Sequence, residues 1–379
     1  MLVINFPNKP THSSYILEYI WIDKSGNLIS KYRTIYPEFS YERHHHIVAE
    51  NWSSSFSLND VEIMLIPVAH YRNPFFQTGR SFLILCETYH TIDKETYIST
   101  KSNFRCAAVE AFLNRSELKP WFGIEQEYFL MEPQGTRVSD KPVAFAKEEA
   151  PQPQGIYACS VGNRTIFFRK LAEKHYEYCL EAGLKISGIN AEAAPSQWEF
   201  QIGPCCGISA GDELWVARYI LHKLSEEFGV NISFEPKPLQ NPWSGSGLHT
   251  NFSTLETREN DGNGSGLKTI YKYIDRLSKK HDDHIRVYGD NSERLKANDA
   301  RTFSYSTGKR NTSIRIPCSV FHSGCGYLED RRPASDADPY RVTSAIFSSA
   351  CLDHDDNDDN GDNDDNGDAS IEVVKLDSE

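Results

Sequence analysis

Short apolar runs separated by polar turns dominate the first hundred residues. The segments YILEYIWID (15–23), LISKYRTI (28–35), VEIMLIPV (61–68) and SFLILCETY (81–89) are rich in β-branched and aromatic residues, which predicts strands. From about residue 101 the texture changes to alternating helices and strands. Helices are predicted at 103–113, 165–181, 212–228 and 267–281, and strands at 121–131, 198–202, 249–253 and 313–316. In the helix at 212–228, Leu214, Ile220, Leu221, Leu224 and Phe228 form an apolar stripe, and Asp212 reads as the N-cap. Gly183 and Gly229 stand where a left-handed residue closes a helix without steric cost. An α+β chain is expected, with a strand-rich unit over 1–100 and a mixed α/β unit over 101–352.

Residues 353–379 break the pattern. The stretch DHDDNDDNGDNDDNGD has no apolar periodicity and cannot bury a core, so it reads as a disordered acidic tail. Asp356-x-Asp358-x-Asn360-Gly361 and Asp362-x-Asp364-x-Asn366-Gly367 match the opening of a calcium loop. The closing bidentate glutamate is replaced by Gly367 and Val373, which favours a solvated tail.

Charge sharpens that division. The 379 residues include 40 basic and 53 acidic side chains, for a formal net charge of −13. The tail holds 12 acids and one lysine, or −11, which leaves −2 for residues 1–352. An acidic chain argues against nucleic acid, which rewards basic surfaces through counterion release, and against anionic membranes. The nearly neutral body, taken by itself, excludes neither. No stretch approaches the ~18 apolar residues of a spanning helix, and MLVINFPNKP lacks the basic and cleavage regions of a secretory signal. Nine cysteines are scattered without a C-x-x-C, so neither a zinc ribbon nor a disulfide framework is predicted. The expectation is a cytoplasmic protein with no nucleic-acid or membrane partner.

The chemistry concentrates in a few segments. In WFGIEQEYF, Glu125 and Glu127 share one strand face, ~7 Å apart, together with Trp121 and Phe129. Two partly buried carboxylates side by side repel unless a cation or proton compensates. Asn190-Ala-Glu192 precedes QWEFQI, where Trp198, Phe200 and Ile202 form an apolar face and Gln197, Glu199 and Gln201 a polar one. In GSGLHTNFS, His249, Asn251 and Ser253 share a face; Arg310, Arg315 and Glu329-Asp330-Arg331-Arg332 follow. Five glutamates, a histidine and several arginines suit divalent metal plus polyphosphate: hard oxygen ligands for Mg²⁺ or Mn²⁺, guanidinium groups for phosphoryl charge. No Walker or dinucleotide glycine fingerprint is present. Asp330 and Arg332 read equally well as a structural ion pair, His175 as a helix-surface or packing histidine, and His44–His46 as a loop.

These segments resemble the eukaryotic-type (type II) glutamine synthetases. The resemblance runs from about residue 17 to 352 through YIWIDKSG, PVAHYRNPF, WFGIEQEYFLM, PQGIYACSVG, GINAEAAPSQWEFQIGPC, DELWVARYIL, KPLQNPWSGSGLHTNFST, RNTSIRIP and GYLEDRRPASDADPY, in family order. It implies a β-grasp N-terminal domain and a catalytic domain around a curved sheet. It also implies ATP-dependent ligation of ammonia to glutamate through γ-glutamyl phosphate, two or more Mg²⁺ or Mn²⁺ ions per site, and homo-oligomeric rings, commonly decamers. By the same resemblance, Glu127, Glu192 and Glu199 look like ligands of one metal, and Glu125, His249 and Glu329 of a second. Arg310 and Arg315 look like phosphate-stabilising residues. Arg294 and Arg331 look like residues gripping glutamate carboxylates, where a bidentate fork outperforms lysine. Gly245 and Ser244 match positions at the substrate's amino-acid end in that family, and Trp121, Ser253, Tyr327 and Arg315 look like residues around the nucleotide.

Three departures from the family lie around the ammonium step. The loop before RNTSIRIP is about four residues shorter than in the family and lacks its flap glutamate, so that Asp299 is the nearby acid. The N-terminal latch with its ammonium-binding aspartate is replaced by Asn51-Trp52-Ser53-Ser54-Ser55, and an asparagine by Ser244. Trp and Ser cannot bind and deprotonate an ammonium ion. Transfer to another amine, or a catalytically impaired ring-forming subunit, therefore stands as an alternative to glutamine synthesis.

Overall fold

The computed structural model describes residues 2–5, 14–36, 46–54, 62–93, 96–134, 137–145, 155–162, 168–239, 243–260, 262–289, 291–297 and 302–352. Asp299, His44, His45, Ser55 and the tail with its two calcium-loop openings lie outside the described residues. The architecture is mixed α/β.

β1 (Leu2–Asn5) pairs with β4 (His46–Ala49), so His46 opens a strand rather than sitting in the expected loop. β2 (Tyr15–Ile22) and β3 (Leu28–Ile35) form a hairpin whose turn is held by the Asp23 carboxylate, which accepts from the Ser25 and Asn27 N–H groups. β5 (Trp52–Ser54), β6 (Ile63–Arg72), β7 (Ser81–Thr91) and β8 (Tyr97–Ser99) complete this sheet in the order β3-β2-β7-β6-β5, with β8 on β7. β2 and β7 run parallel at its centre. Their near-continuous apolar sequences follow from burial on both faces. Tyr15, Leu17, Tyr19, Trp21, Ile84 and Cys86 pack into one cluster, while Ile20, Leu83 and Leu85 join the main core.

The second sheet is built on β9 (Trp121–Gln134). Its order is β11 (Ile186–Ala191), β12 (Gln197–Cys206), β9, β14 (Leu248–Ser253), β17 (Leu328–Asp330), β16 (Ile314–Ile316) and β15 (Tyr305–Thr307), with β10 (Arg137–Pro142) and β13 (Asn231–Ser233) also on β9. Alternation on β9 sends Phe122, Ile124, Tyr128 and Leu130 to the back face. There they pack with side chains of α1 (Phe104–Asn114), α3 (Ser209–Phe228), α5 (Ser265–Lys279) and α9 (Pro339–Cys351). α2 (Arg169–Ala182) lies against α3, with His175 fully buried as a packing residue that bonds the Ala217 carbonyl. The shorter α4 (Leu255–Arg258), α6 (His281–Val287), α7 (Ser292–Ala297) and α8 (Cys318–Ser323) border the other elements. No helix among the described residues is long and apolar enough to cross a membrane.

The predicted cap at Asp212 is corrected. α3 begins at Ser209, and Asp212 lies within its first turn. Its carboxylate receives a bidentate fork from Arg105 at 2.8 and 3.0 Å and the Tyr340 hydroxyl at 2.7 Å. A bidentate guanidinium outcompetes the helix's own N–H groups for that carboxylate. The helix predicted to end at 281 instead stops at Lys279, and α6 takes over at His281.

Largely buried ionic contacts tie the first sheet to α1 and α3, which pack behind the second. Arg105 also donates to Glu87 of β7 at 2.9 Å. Glu18 of β2, wholly buried, accepts from Lys223 of α3 at 2.8 Å on each oxygen, from Asn73 at 2.8 Å and from the Tyr219 hydroxyl. Removing one member of such a pair strands a buried charge, so Lys223→Met is expected to destabilise the fold by about 3 kcal/mol in urea unfolding. The double variant with Glu18→Gln should recover most of that loss; an additive double variant would contradict the pairing.

Candidate active site

Strand register assembles the site. β12 lies on β9 with Glu199 opposite Glu127 and Gln201 opposite Glu125. On the other side β14 sets His249 opposite Glu125 and Asn251 opposite Gly123. β17 sets Glu329 opposite Asn251, and β16 sets Arg315 opposite Glu329. Because residues two apart share a face, Glu125, Glu127, Glu199, His249 and Glu329 converge on the face away from the helices. His249 Nδ1 stands 3.5 Å from Glu125 and 3.9 Å from each of Glu127 and Glu329. Among the described residues, two groups have donor atoms within 4.8 Å of one another: Glu125, His249 and Glu329; and Glu127, Glu199 and His249. Glu192 is in neither. Its carboxylate accepts from Asn190 and from the Ala193 N–H, both at 3.0 Å.

The electrostatics of this face are strained by like charge. Burial pushes the Glu199 carboxyl up, and Glu127, Glu125 and Glu192 push it further, to about 9. Glu127 is also raised, by burial and then by Glu192, against the opposing pull of His249 and Arg294. Glu125 goes the other way: burial raises it, but His249, Asn251 and Arg315 outweigh that and hold it at about 2. A divalent cation among these oxygens would relieve the repulsion. The donor set, carboxylate oxygens with one imidazole, fits Mg²⁺ or Mn²⁺.

Amides and arginines frame the carboxylates. Gln201 Nε2 bridges Asn190, at 2.7 Å, and Glu199. Gln197 Nε2 donates to Glu127 at 3.2 Å and to the Gly245 carbonyl at 3.1 Å, while the Gly247 N–H donates to Glu127 at 2.8 Å. Arg315 and Arg331 both donate to Glu329, and Arg331 Nε also reaches the Arg310 carbonyl at 2.9 Å. Arg310 is exposed. Arg294, in α7, is buried beside the glycine stretch and donates to the carbonyls of Arg331 and Arg332 at 3.0 and 3.1 Å. A Cβ on Gly245 would meet the Pro236 carbonyl at 2.6 Å, so that close approach requires glycine, while one on Gly247 would meet Arg294 Nη2 at 2.6 Å and displace the guanidinium. Ser244 lies beside them, half-buried.

Trp121 and Ser253 are register partners at the end of β9 and β14. Arg258 stacks over the Trp121 ring at 4.0 Å and donates to Ser253 Oγ at 3.0 Å. Nothing in the spacing of Arg258 signals that role. Tyr327 is 38% exposed, and its hydroxyl is raised by burial and then by Glu125 and Glu329. Asp330 faces the opposite side of β17 from Glu329 and forms a wholly buried pair with Arg332 at 2.6 Å. The ion pair read from the sequence is therefore present.

A buried carboxylate–histidine face rimmed by arginines, on a mixed α/β frame, is the kind of site that suits a metal-dependent enzyme. The family model described as "Glutamine synthetase, catalytic domain" matches residues 105–353. A glutamine synthetase of Agaricus bisporus is 43% identical over 343 residues, covering 89% of this chain and 93% of the relative. The Amanita muscaria glutamine synthetase is 44% identical over 344 residues, with the same coverage, and that of Saccharomyces cerevisiae is 43% identical over 350 residues, 89% of each chain. The chain belongs to the glutamine synthetase family. It is thereby an ATP-dependent carbon–nitrogen ligase served by Mg²⁺ or Mn²⁺.

The crowding has a pH signature. A carboxyl whose folded pKa exceeds its unfolded value takes up a proton on folding, so the stability it contributes declines as pH rises from about 5 to about 9. In chelator, Glu199→Gln should therefore melt above the wild type by a margin that widens across that window. Mn²⁺ should raise the wild type more than the variant. A margin independent of pH would refute the assignment of repulsion to Glu199.

Proposed function

We propose that this chain synthesises glutamine from glutamate, ammonium and ATP through γ-glutamyl phosphate. The observation that carries the reading is the convergence of Glu125, Glu127, Glu199, His249 and Glu329 on one face beside Arg315 and Arg331. Glu127 and Glu199 with Glu192 would hold one divalent ion, and Glu125, His249 and Glu329 a second. Metal there would supply charge neutralisation for the transferred phosphoryl group. The chain's own residues do the rest. Arg310 and Arg315 stabilise phosphoryl oxygens, Arg294 and Arg331 orient the glutamate carboxylates, and the Gly245 carbonyl with Ser244 receives the amino-acid end. Trp121, Ser253, Tyr327 and Arg315 surround the nucleotide, and Asp299 takes the proton of the attacking amine.

The wider organisation follows the same reading. Residues 1–100 form the family's β-grasp domain, supported by the parallel β2–β7 pair at the centre of the first sheet. Residues 101–352 form the catalytic domain, and 353–379 an acidic appendage. Subunits assemble as a ring, commonly a decamer, in the cytoplasm; the nine cysteines, all free thiols, suit a reducing compartment.

A second reading, transfer to an amine other than ammonium, is favoured by Trp52. Its segment stands where the family has a latch aspartate, and its ring lies under Lys31 at 3.7 Å and against Tyr19 at 5.2 Å. The discriminating experiment follows ADP formation with glutamate and Mg²⁺, with ammonium or with a panel of primary amines. Glutamine and ADP in equal amounts with ammonium support the first reading; turnover only with a bulkier amine supports the second. Because Arg310 is exposed, Arg310→Ala should spare the fold and lower turnover about 100-fold; unchanged turnover would remove Arg310 from the site.

A further inference from the structure

Between Glu125 and Glu127, Gln126 points to the back of the sheet, where it is wholly buried. Its Nε2 donates to the carbonyls of Glu127 at 2.8 Å and Ser335 at 3.0 Å, and its Oε1 accepts from Arg218 Nε at 2.8 Å. Arg218, on α3, is 2% exposed. Its Nη2 donates to the carbonyls of Ser335 and Ala337 at 2.9 and 3.0 Å, and its guanidinium lies 4.8 Å from the Trp215 ring and 5.0 Å from that of Phe234.

Those carbonyls belong to a segment that builds the site. The Leu248 N–H donates to the Pro333 carbonyl at 3.0 Å and the Ser335 N–H to the Ser246 carbonyl at 3.2 Å, with a bridge between Gly247 and Ala334. The chain from Gly247 runs directly into His249, and the Gly247 N–H itself holds Glu127. The same segment follows Glu329 and Arg331. One guanidinium thus ties together the strand of Glu125 and Glu127, the approach to His249, and the exit from Glu329. Its partners are an amide oxygen and two carbonyls rather than a carboxylate. Burial pulls Arg218 down to about 10.

We propose that Arg218 is a positioning residue of the active site, which keeps Glu125, Glu127 and His249 in common register by clamping Gln126 to the 335–337 segment. The inference deepens the ligase reading, since it concerns how the same metal-binding face is held, yet metal binding tests it without turnover. Outer partners of ligands typically contribute 10- to 100-fold to metal affinity. A cavity of about 890 Å³ between the 23–27 hairpin and α3 is lined by Trp215, Arg218, His222 and Lys223. It gives a free guanidinium ion a route to the place that a truncated Arg218 would vacate.

The test is Mn²⁺ affinity of the full chain, measured by electron paramagnetic resonance with folding checked by circular dichroism. Arg218→Ala should weaken Mn²⁺ binding about tenfold or more. Millimolar guanidinium should restore most of it, saturably, whereas urea at equal concentration should not, and wild type should respond to neither. If Arg218→Ala does not fold, Gln126→Leu carries the test: it should lose Mn²⁺ affinity similarly without recovery in guanidinium. A folded variant with wild-type affinity, or recovery in guanidinium no greater than in urea, would overturn the proposal. Wild type that binds Mn²⁺ but makes no glutamine would refute the proposed function and leave this inference intact.

Discussion

Like charges held together on a buried sheet face are the constraint around which the rest of this molecule is arranged. Carboxylate oxygens within 4.8 Å of one another repel by roughly 3 to 4 kcal/mol per pair at an effective dielectric of about 20. A flexible surface would relax by turning the side chains outward. Here they cannot turn: each sits on a strand whose register is set by neighbours on both sides, and the strand's reverse face is packed against helices. Burial first, and the neighbouring carboxylates after it, raise Glu199 and Glu127, and the repulsion is left for protons or divalent cations to relieve.

That requirement gives the remaining architecture its meaning. The back-face core of Phe122, Ile124, Tyr128 and Leu130 makes β9 rigid, and α3 lies behind it. Arg105 and Lys223 fasten the first sheet to α3, behind the second, through Asp212, Glu87 and Glu18. On the front, arginines arrive from separate segments. Arg315 and Arg331 already neutralise Glu329, while Arg294 is fixed by main-chain carbonyls rather than by a carboxylate. Cationic groups are therefore poised at the rim of an anionic floor, as transfer of a phosphoryl group to a carboxylate demands.

How much of this can be read from residues alone depends on how local the signal is. The runs at 15–23 and 81–89 declare strands because both faces are buried, and E-x-E in WFGIEQEYF places Glu125 and Glu127 on one face through simple alternation. Register across strands distant in sequence is not a local property. That His249 stands opposite Glu125, and Glu329 opposite Asn251, emerges only from the paired strands. Asp212 misleads because a carboxylate near a helix start is a good cap unless a guanidinium claims it, and Arg105 lies far away in sequence. Gln126 and Arg218 are silent for a related reason: one polar residue in a buried strand or an apolar helix looks like a solvent-facing position. Arg258, in a single turn of helix, carries no periodic signal. The proton balance among the glutamates depends on desolvation, which no residue pattern expresses.

The most direct test of this account is calorimetric titration of the metal-free protein with Mn²⁺ at pH 8 in buffers of differing ionisation enthalpy. Saturable binding that releases protons, with the release diminished in Glu199→Gln, is the predicted result, because the incoming cation displaces protons held by carboxyls of raised pKa. Binding without proton release, or none to the folded wild type, would contradict the claim that repulsion among these carboxylates prepares the site for metal.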